Sequence, residues 1–210
     1  SSILSQIKEG NRFLTLLGTA GVGKTRLSLE LADELRELYT RAVFCDLTEA
    51  SDELSIAQRL SQALNTRLRD TDPLHHLTDI LAEEPTLLVL DNLEQITELI
   101  GPMAAKWVKE IESLQILSTS RMKLSAPEEV VVQIHPLSLL EAVDLFVRRA
   151  RSANTHFELQ PEQYPDVCEI VNRLDRLPLA LAQREFARLA KRRVLEHGVQ
   201  PASRRLRRCC

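Results

Sequence analysis

The chain has 210 residues, a formal net charge of −3, an apolar share of 44% and four cysteines. That length permits one good core, or one core with a small satellite domain, and the apolar share is ordinary for a globular protein. No apolar run approaches bilayer length and the N-terminus lacks the pattern of a secretory leader, so a cytoplasmic location without membrane contact is expected.

Cys45, Cys168, Cys209 and Cys210 show no metal-ligand spacing, which predicts reduced thiols and no zinc. The chain opens at Ser1 without a methionine, which predicts a piece of a longer polypeptide.

In chain order, Phe13 to Leu17 is a short apolar run of strand length. Gly18-Thr19-Ala20-Gly21-Val22-Gly23-Lys24-Thr25 follows and matches the phosphate-loop pattern G-x-x-x-x-G-K-[ST]. Leu27, Leu31, Leu35 and Leu38 then recur at helical spacing, so the loop stands between a strand and a helix, as its chemistry requires. The glycines let backbone N–H groups turn inward around an anion, Lys24 adds a cation that reaches the outer phosphates, and Thr25 is placed to ligate Mg2+. The helix N-terminus adds roughly half a positive charge at the same point. The predicted nucleotide contacts run from Gly18 through Arg26. A bare turn would also be Gly-rich, but it would not need this context.

Ala42 to Leu47 reads as a second strand and Leu54 to Leu64 as an amphipathic helix. Asp72-Pro73 has the form of an N-cap with proline at the first helical position, opening a helix to about Glu84. Thr86 to Leu90 is a third strand. A helical stretch from about Gln95 to Glu112 is expected to break near Gly101-Pro102. Leu114 to Ser118 and Val130 to Ile134 supply two more strands. From Ser138 the pattern turns all-helical: Ser138 and Glu141 form a capping box, and Pro161 to Leu174 and Pro178 to about Leu195 give two further helices.

Strands alternating with helices imply a parallel sheet covered on both faces, with ligands at the carboxyl ends of the strands. The predicted fold is α/β, a three-layer P-loop NTPase with a five-stranded parallel sheet and a small all-helical lid domain. The expected divisions are a core over 1–136, a lid over 137–196 and a disordered basic tail over 197–210. From Arg184 onward nine Lys or Arg stand against Glu185 and Glu196. A charge run of this kind is ordinarily a solvated end, and nucleic-acid binding through it is the less favoured reading.

A triphosphate site needs a carboxylate for Mg2+ at the end of a neighbouring buried strand, and Leu87-Leu88-Val89-Leu90-Asp91 supplies one. Asp also caps helices, but the phosphate loop in the same chain favours the metal role. Ile116-Leu117 leads into Ser118-Thr119-Ser120-Arg121, which places a cation at another strand end. Such an arginine can sense a terminal phosphate through charge-assisted hydrogen bonds, or simply be a solvated charge.

The set GTAGVGKT, LLVLDNLEQ, ILSTSRMKL, PLSLLEAVDLF and LPLAL, in this order, resembles the nucleotide-binding domain of STAND ATPases over about Phe13 to Ala182. Within them it is most similar to the NB-ARC-like branch found in large bacterial transcriptional regulators of the LuxR and SARP type. The resemblance implies a slow Mg2+-dependent ATPase acting as an ATP/ADP switch in signal transduction and transcription regulation. It makes Asp91 the Walker B acid and Arg121 the sensor arginine, and sets Pro178 near the adenine. It also implies self-association or output domains lying outside this chain. The family usually has glycine where this chain has Arg176, and Asn92 follows Asp91 where many ATPases place a catalytic glutamate, leaving Glu94 as the nearest candidate base. The competing functions are an AAA-like ATPase acting on nucleic acid, which would want an arginine finger and base-stacking aromatics, and a small-molecule kinase, whose acceptor motifs are not recognisable.

Overall fold

The computed structural model describes residues 2–68, 72–153, 155 and 157–182. It divides into two compact units, one ending at His135 and the other beginning at Pro136. The helix continuation toward Leu195, the basic tail and Cys209-Cys210 lie outside the described residues. Among those described, no helix is long and apolar enough to cross a membrane.

The first unit is built on five parallel strands, β1 (Phe13–Leu17), β2 (Arg41–Asp46), β3 (Thr86–Asp91), β4 (Leu114–Ser120) and β5 (Val130–Gln133). They lie in the order β2-β3-β4-β1-β5, and every pairing is parallel. This is the α/β P-loop sheet that the alternating pattern predicts, with the strand before the phosphate loop flanked by β4 and β5.

Two helical layers cover it. Alternate residues of the strands point to opposite faces. Phe13, Leu88, Leu90 and Ile116 pack with α3 (Glu53–Ala63), α4 (Pro73–Ala82) and α5 (Thr97–Glu110). Leu14, Leu16, Leu87, Val89 and Leu117 pack with α1 (Ser2–Lys8) and α2 (Lys24–Leu35) on the other face. β3 and β4 are buried along their whole length, so Leu87 to Leu90 of β3 read as an unbroken apolar run rather than as alternation, while β4 buries Gln115 and Ser118 to Ser120 beside its apolar residues.

The caps behave as their residue types dictate. The Asp72 carboxylate accepts from the backbone N–H of His75 at 3.1 Å, and Pro73 opens α4.

The expected break at Gly101-Pro102 is absent, and α5 runs through both residues. A Cβ on Gly101 would stand 2.6 Å from the carbonyl oxygen of Leu124, so this glycine admits a close approach of two backbones instead of ending a helix. Pro102 lies on the exposed side of α5, as does Glu98, whose carbonyl it deprives of a donor. Water is at hand there to replace the lost bond. The seven-residue α1 was not expected; it docks through Ile3, with Leu4 and Ile7 beside it.

The second unit holds α6 (Leu139–Ala153), α7 (Tyr164–Arg173) and α8 (Pro178–Ala182) around Ala142, Val143, Phe146, Val167, Ile170, Val171 and Leu181. The capping box forms, with the Ser138 N–H donating to Glu141 at 2.8 Å and the Glu141 N–H to the Ser138 hydroxyl at 3.3 Å. Asp175 and Arg176 both take left-handed conformations, with φ of 52° and 55°. The position where the resembling family carries glycine therefore keeps a glycine-like backbone with an arginine on it.

Candidate functional site

The strand register brings the chemistry to one edge. Leu17 is level with Ser120, and Asp46 with Asp91, so the carboxyl ends of β1 to β4 align, and the loop Gly18–Gly23 leaves β1 at that edge. Gly21 and Gly23 have φ of 78° and 99°, a region that side chains with a Cβ rarely enter, and Gly23 caps α2 from there. Gly18 passes so near the carbonyl oxygen of Ile134 that a Cβ would sit 2.8 Å from it. The first-turn N–H groups of α2 have no intrahelical acceptors and open toward the loop.

Lys24 is only 8% exposed. Its Nζ donates to the carbonyl oxygens of Gly18 at 2.9 Å and Thr19 at 3.1 Å, folding the side chain back over the loop. Burial lowers the pKa of the ammonium below the usual lysine value; Glu94 pulls it up, Arg121 pushes it down and Asp91 pulls it up. Three charges from three different elements therefore act on this one lysine. Arg26 lies one residue past Thr25, with its side chain exposed and paired to Glu30 at 2.9 Å.

Thr25 and Asp91 meet. The Thr25 hydroxyl is 2.9 Å from each oxygen of the Asp91 carboxylate, which is itself buried at the end of β3. Burial raises the pKa of Asp91, while hydrogen bonds from Thr119 and Thr25 and the charge of Lys24 oppose that rise and Asp46 adds to it. A hydroxyl and a carboxylate side by side at a phosphate loop are hard oxygen donors, the set that holds Mg2+ together with substrate phosphates. The residues present fit that ion.

From the sequence alone, Thr119, Asn92, Thr48 and Asp46 had no assigned part around Asp91. The Thr119 hydroxyl donates to Asp91 and accepts from the Asn92 N–H at 3.1 Å. Asn92, left-handed at φ 65°, shares its amide protons among Asp91 at 3.0 Å, Thr48 at 2.9 Å and Asp46 at 3.2 Å. The hydrogen bond from the Thr48 hydroxyl, foremost, keeps the Asp46 pKa below the usual carboxylate value. The polar run Ser118-Thr119-Ser120 was the available signal for Thr119; Asp46 needed the register of β2 on β3.

Arg121 follows directly on β4 and forms an ion pair with Glu94, Nε to Oε1 at 2.7 Å. The arginine side chain is 56% exposed and the glutamate 18%. Pro178 opens α8 in the second unit. Cys45 lies buried in β2, where loss of hydration pushes its thiol up to about 12, as expected of a cysteine that serves as a small apolar side chain.

A family model described as an AAA domain matches residues 7–127. An uncharacterized protein of Mycobacterium tuberculosis is 30% identical over 173 residues, 81% of this chain and 44% of that protein. A second protein of that organism, named as a candidate HTH-type transcriptional regulator, is 32% identical over 181 residues, 84% of this chain and 20% of its own length. The chain thus spans less than half the length of these curated relatives.

Among solved structures, a signal transduction ATPase with numerous domains (STAND) that has a tetratricopeptide repeat sensor, from Pyrococcus horikoshii, superposes with a TM-score of 0.55 at 16% identity. The match covers 86% of this chain and 28% of that one. The Drosophila ORC bound to DNA gives 0.64 at 13% identity, over 93% and 61% of the two chains. At these identities the likeness is one of fold.

Proposed function

The chain belongs to the AAA domain family of P-loop ATPases, and from that premise we propose that it is a nucleotide-controlled switch inside a larger regulatory protein, binding ATP or ADP with Mg2+. The observation that carries this reading is the meeting of the Thr25 hydroxyl with Asp91 at 2.9 Å beneath a phosphate loop whose lysine is already buried. Its setting in a longer protein is supported by the length of the relatives, one of them named as a candidate HTH-type regulator.

In this reading the loop N–H groups and the α2 terminus cradle the phosphates, and Lys24 exchanges its two carbonyl acceptors for phosphate oxygens. Thr25 and Asp91 hold Mg2+, which supplies charge neutralisation at the phosphoryl group being transferred. Thr119 and Asn92 fix the Asp91 carboxylate. Arg121 reads the terminal phosphate, and Glu94 is the carboxylate nearest to it for accepting a proton from water. Turnover is slow, as suits a timer.

Moving a two-state element from mostly off to mostly on takes about 5.5 kcal/mol of differential affinity. The contacts of Lys24, Arg121 and Mg2+ with a terminal phosphate are of that order, at about 1.5 to 3 kcal/mol for each charge-assisted bond. Titration calorimetry with ATP and ADP, each with and without Mg2+, tests the proposal. Tighter binding of the triphosphate that needs the metal is expected; failure of both nucleotides to bind ends the reading.

A further inference from the structure

Glu94 and Arg121 are brought together by the sheet, since they stand 27 residues apart in sequence. β3 and β4 are neighbours, and each strand ends just before one member of the pair. The left-handed Asn92 turns the chain into the short 3-10 turn Leu93–Gln95, and fully buried Leu93 pins that turn. Glu94 is thereby held against the end of β4, where Arg121 emerges. Both charges also act on the Lys24 ammonium, so the pair borders the phosphate loop rather than a remote surface.

The two partners are unequally committed. Arg121 keeps more than half of its side-chain surface in water and uses Nε for the bond, leaving the rest of its guanidinium fork unspent on this carboxylate. Glu94 is mostly buried, and its second oxygen, Oε2, is buried with no hydrogen-bond partner. A carboxylate oxygen left so is poorly compensated, and the doubly bonded arrangement that makes arginine and carboxylate a strong pair is not made. The contact is thus geometrically fixed on the glutamate side and weak enough to exchange on the arginine side.

We propose that Glu94 is a specificity-determining residue that acts through Arg121: it holds the guanidinium when no terminal phosphate is present, so ATP must displace the carboxylate and ADP need not. This rests on the reading of the site as an ATP/ADP switch. Two anions compete for one cation, and the terminal phosphate wins because it brings more charge and more acceptor oxygens than one singly bonded carboxylate. The competition sets a threshold on ATP affinity. It also orders events, because Glu94 becomes free to accept a hydrogen bond from water only after Arg121 has engaged the phosphate.

The test is a double-mutant cycle read by calorimetry with ADP and with a non-hydrolysable ATP analogue, each with Mg2+, on the full chain and on Glu94→Gln, Arg121→Ala and the double variant. Breaking a half-exposed ion pair corresponds to about two- to fivefold in affinity. Glu94→Gln is expected to bind the analogue tighter by that factor with ADP affinity unchanged, and the gain should vanish when Arg121 is already alanine. Simple removal of a negative charge near the phosphates predicts the opposite pattern, a gain as large or larger in the Arg121→Ala background, and that result overturns the proposal. So does an unchanged affinity in Glu94→Gln while Arg121→Ala weakens the analogue, an outcome that leaves the switch itself standing. If neither single variant alters the preference between the nucleotides, the switch reading falls and this proposal with it. Retained ADP binding shows in each case that the variant is folded.

Discussion

Thr15, Lys24, Asp91, Gln115, Ser118, Thr119 and Ser120 are all buried in the first unit, whereas the buried side chains described in the second are aliphatic or aromatic hydrocarbon. Burying a polar group without a partner costs about 1 to 3 kcal/mol, so a fold collects such groups only where they can be paired or where chemistry needs them. The first unit pairs them: Thr15 with Ser118 at 2.7 Å within the β1–β4 ladder, and at the strand ends Asp91 with Thr25 and Thr119 and Lys24 with two loop carbonyls. The second unit makes no such investment, and its tension lies in the backbone at Asp175 and Arg176. Left-handed backbone occurs in both units, at Asn65, Asn92 and Ser125 in the first as well, but the buried polar chemistry is confined to the first among the described residues, and substitutions in the two units should read out differently.

The largest effect is expected from Asp91→Ala. It removes the buried carboxylate that Thr25, Thr119 and Asn92 all address, and with it the proposed anchor for Mg2+. Single-turnover phosphate release should fall by about 100-fold or more, close to 3 kcal/mol of lost stabilisation at the phosphoryl group. Metal-free nucleotide should still bind, because the loop is untouched. Turnover within a factor of two of the parent would take Asp91 out of the site.

Lys24→Ala comes next. It deletes the only cation inside the loop while the glycine-built backbone remains, so ATP affinity should weaken by roughly ten- to a hundredfold with the fold intact. Calorimetry giving an unchanged ATP affinity would contradict a phosphate role for the whole loop.

Arg121→Ala should be smaller and more selective. The guanidinium already has a partner in Glu94, which offsets part of what it gains from a terminal phosphate. ATP affinity should drop by roughly tenfold relative to ADP, a preference read from the ratio of the two dissociation constants. Equal losses for both nucleotides would make Arg121 a general counter-ion.

Much of the first unit was legible because β1 and β3 are buried on both faces and so appear as mainly apolar runs; Leu87 to Leu90 needed no periodicity to be recognised. The phosphate loop was legible because its residues carry their own geometry, with glycines where φ turns positive. What stayed hidden depends on strand order and register. Nothing in the sequence around Thr119 says that β4 lies beside β3, so its hydroxyl could not be assigned to Asp91, and the same ignorance concealed the pairing of Glu94 with Arg121. Gly101-Pro102 misled for a different reason. Glycine has two uses, and close approach to Leu124 won over helix termination because the proline falls on the wet side of α5.

The smallest predicted effect lies in the second unit and has the opposite sign. Arg176 holds φ at 55°, where a residue with a Cβ is disfavoured by about 1 to 2 kcal/mol relative to its usual region. Its backbone is well employed: the N–H donates to Val171 at 3.0 Å after the end of α7, and the carbonyl accepts from Leu137 at 3.2 Å. Its side chain is exposed. Arg176→Gly keeps both backbone bonds and relieves the strain, while the added freedom of the unfolded chain returns roughly half of the gain. A net increase of about 0.5 to 1 kcal/mol in unfolding free energy is therefore expected by denaturant titration. Arg176→Ala is the control, since it removes the same side chain and keeps the Cβ. If alanine stabilises as much as glycine, the arginine side chain was the source of the cost and the left-handed turn is not under strain. If glycine alone stabilises and nucleotide affinities do not move, then the second unit can be tuned without touching the chemistry of the first.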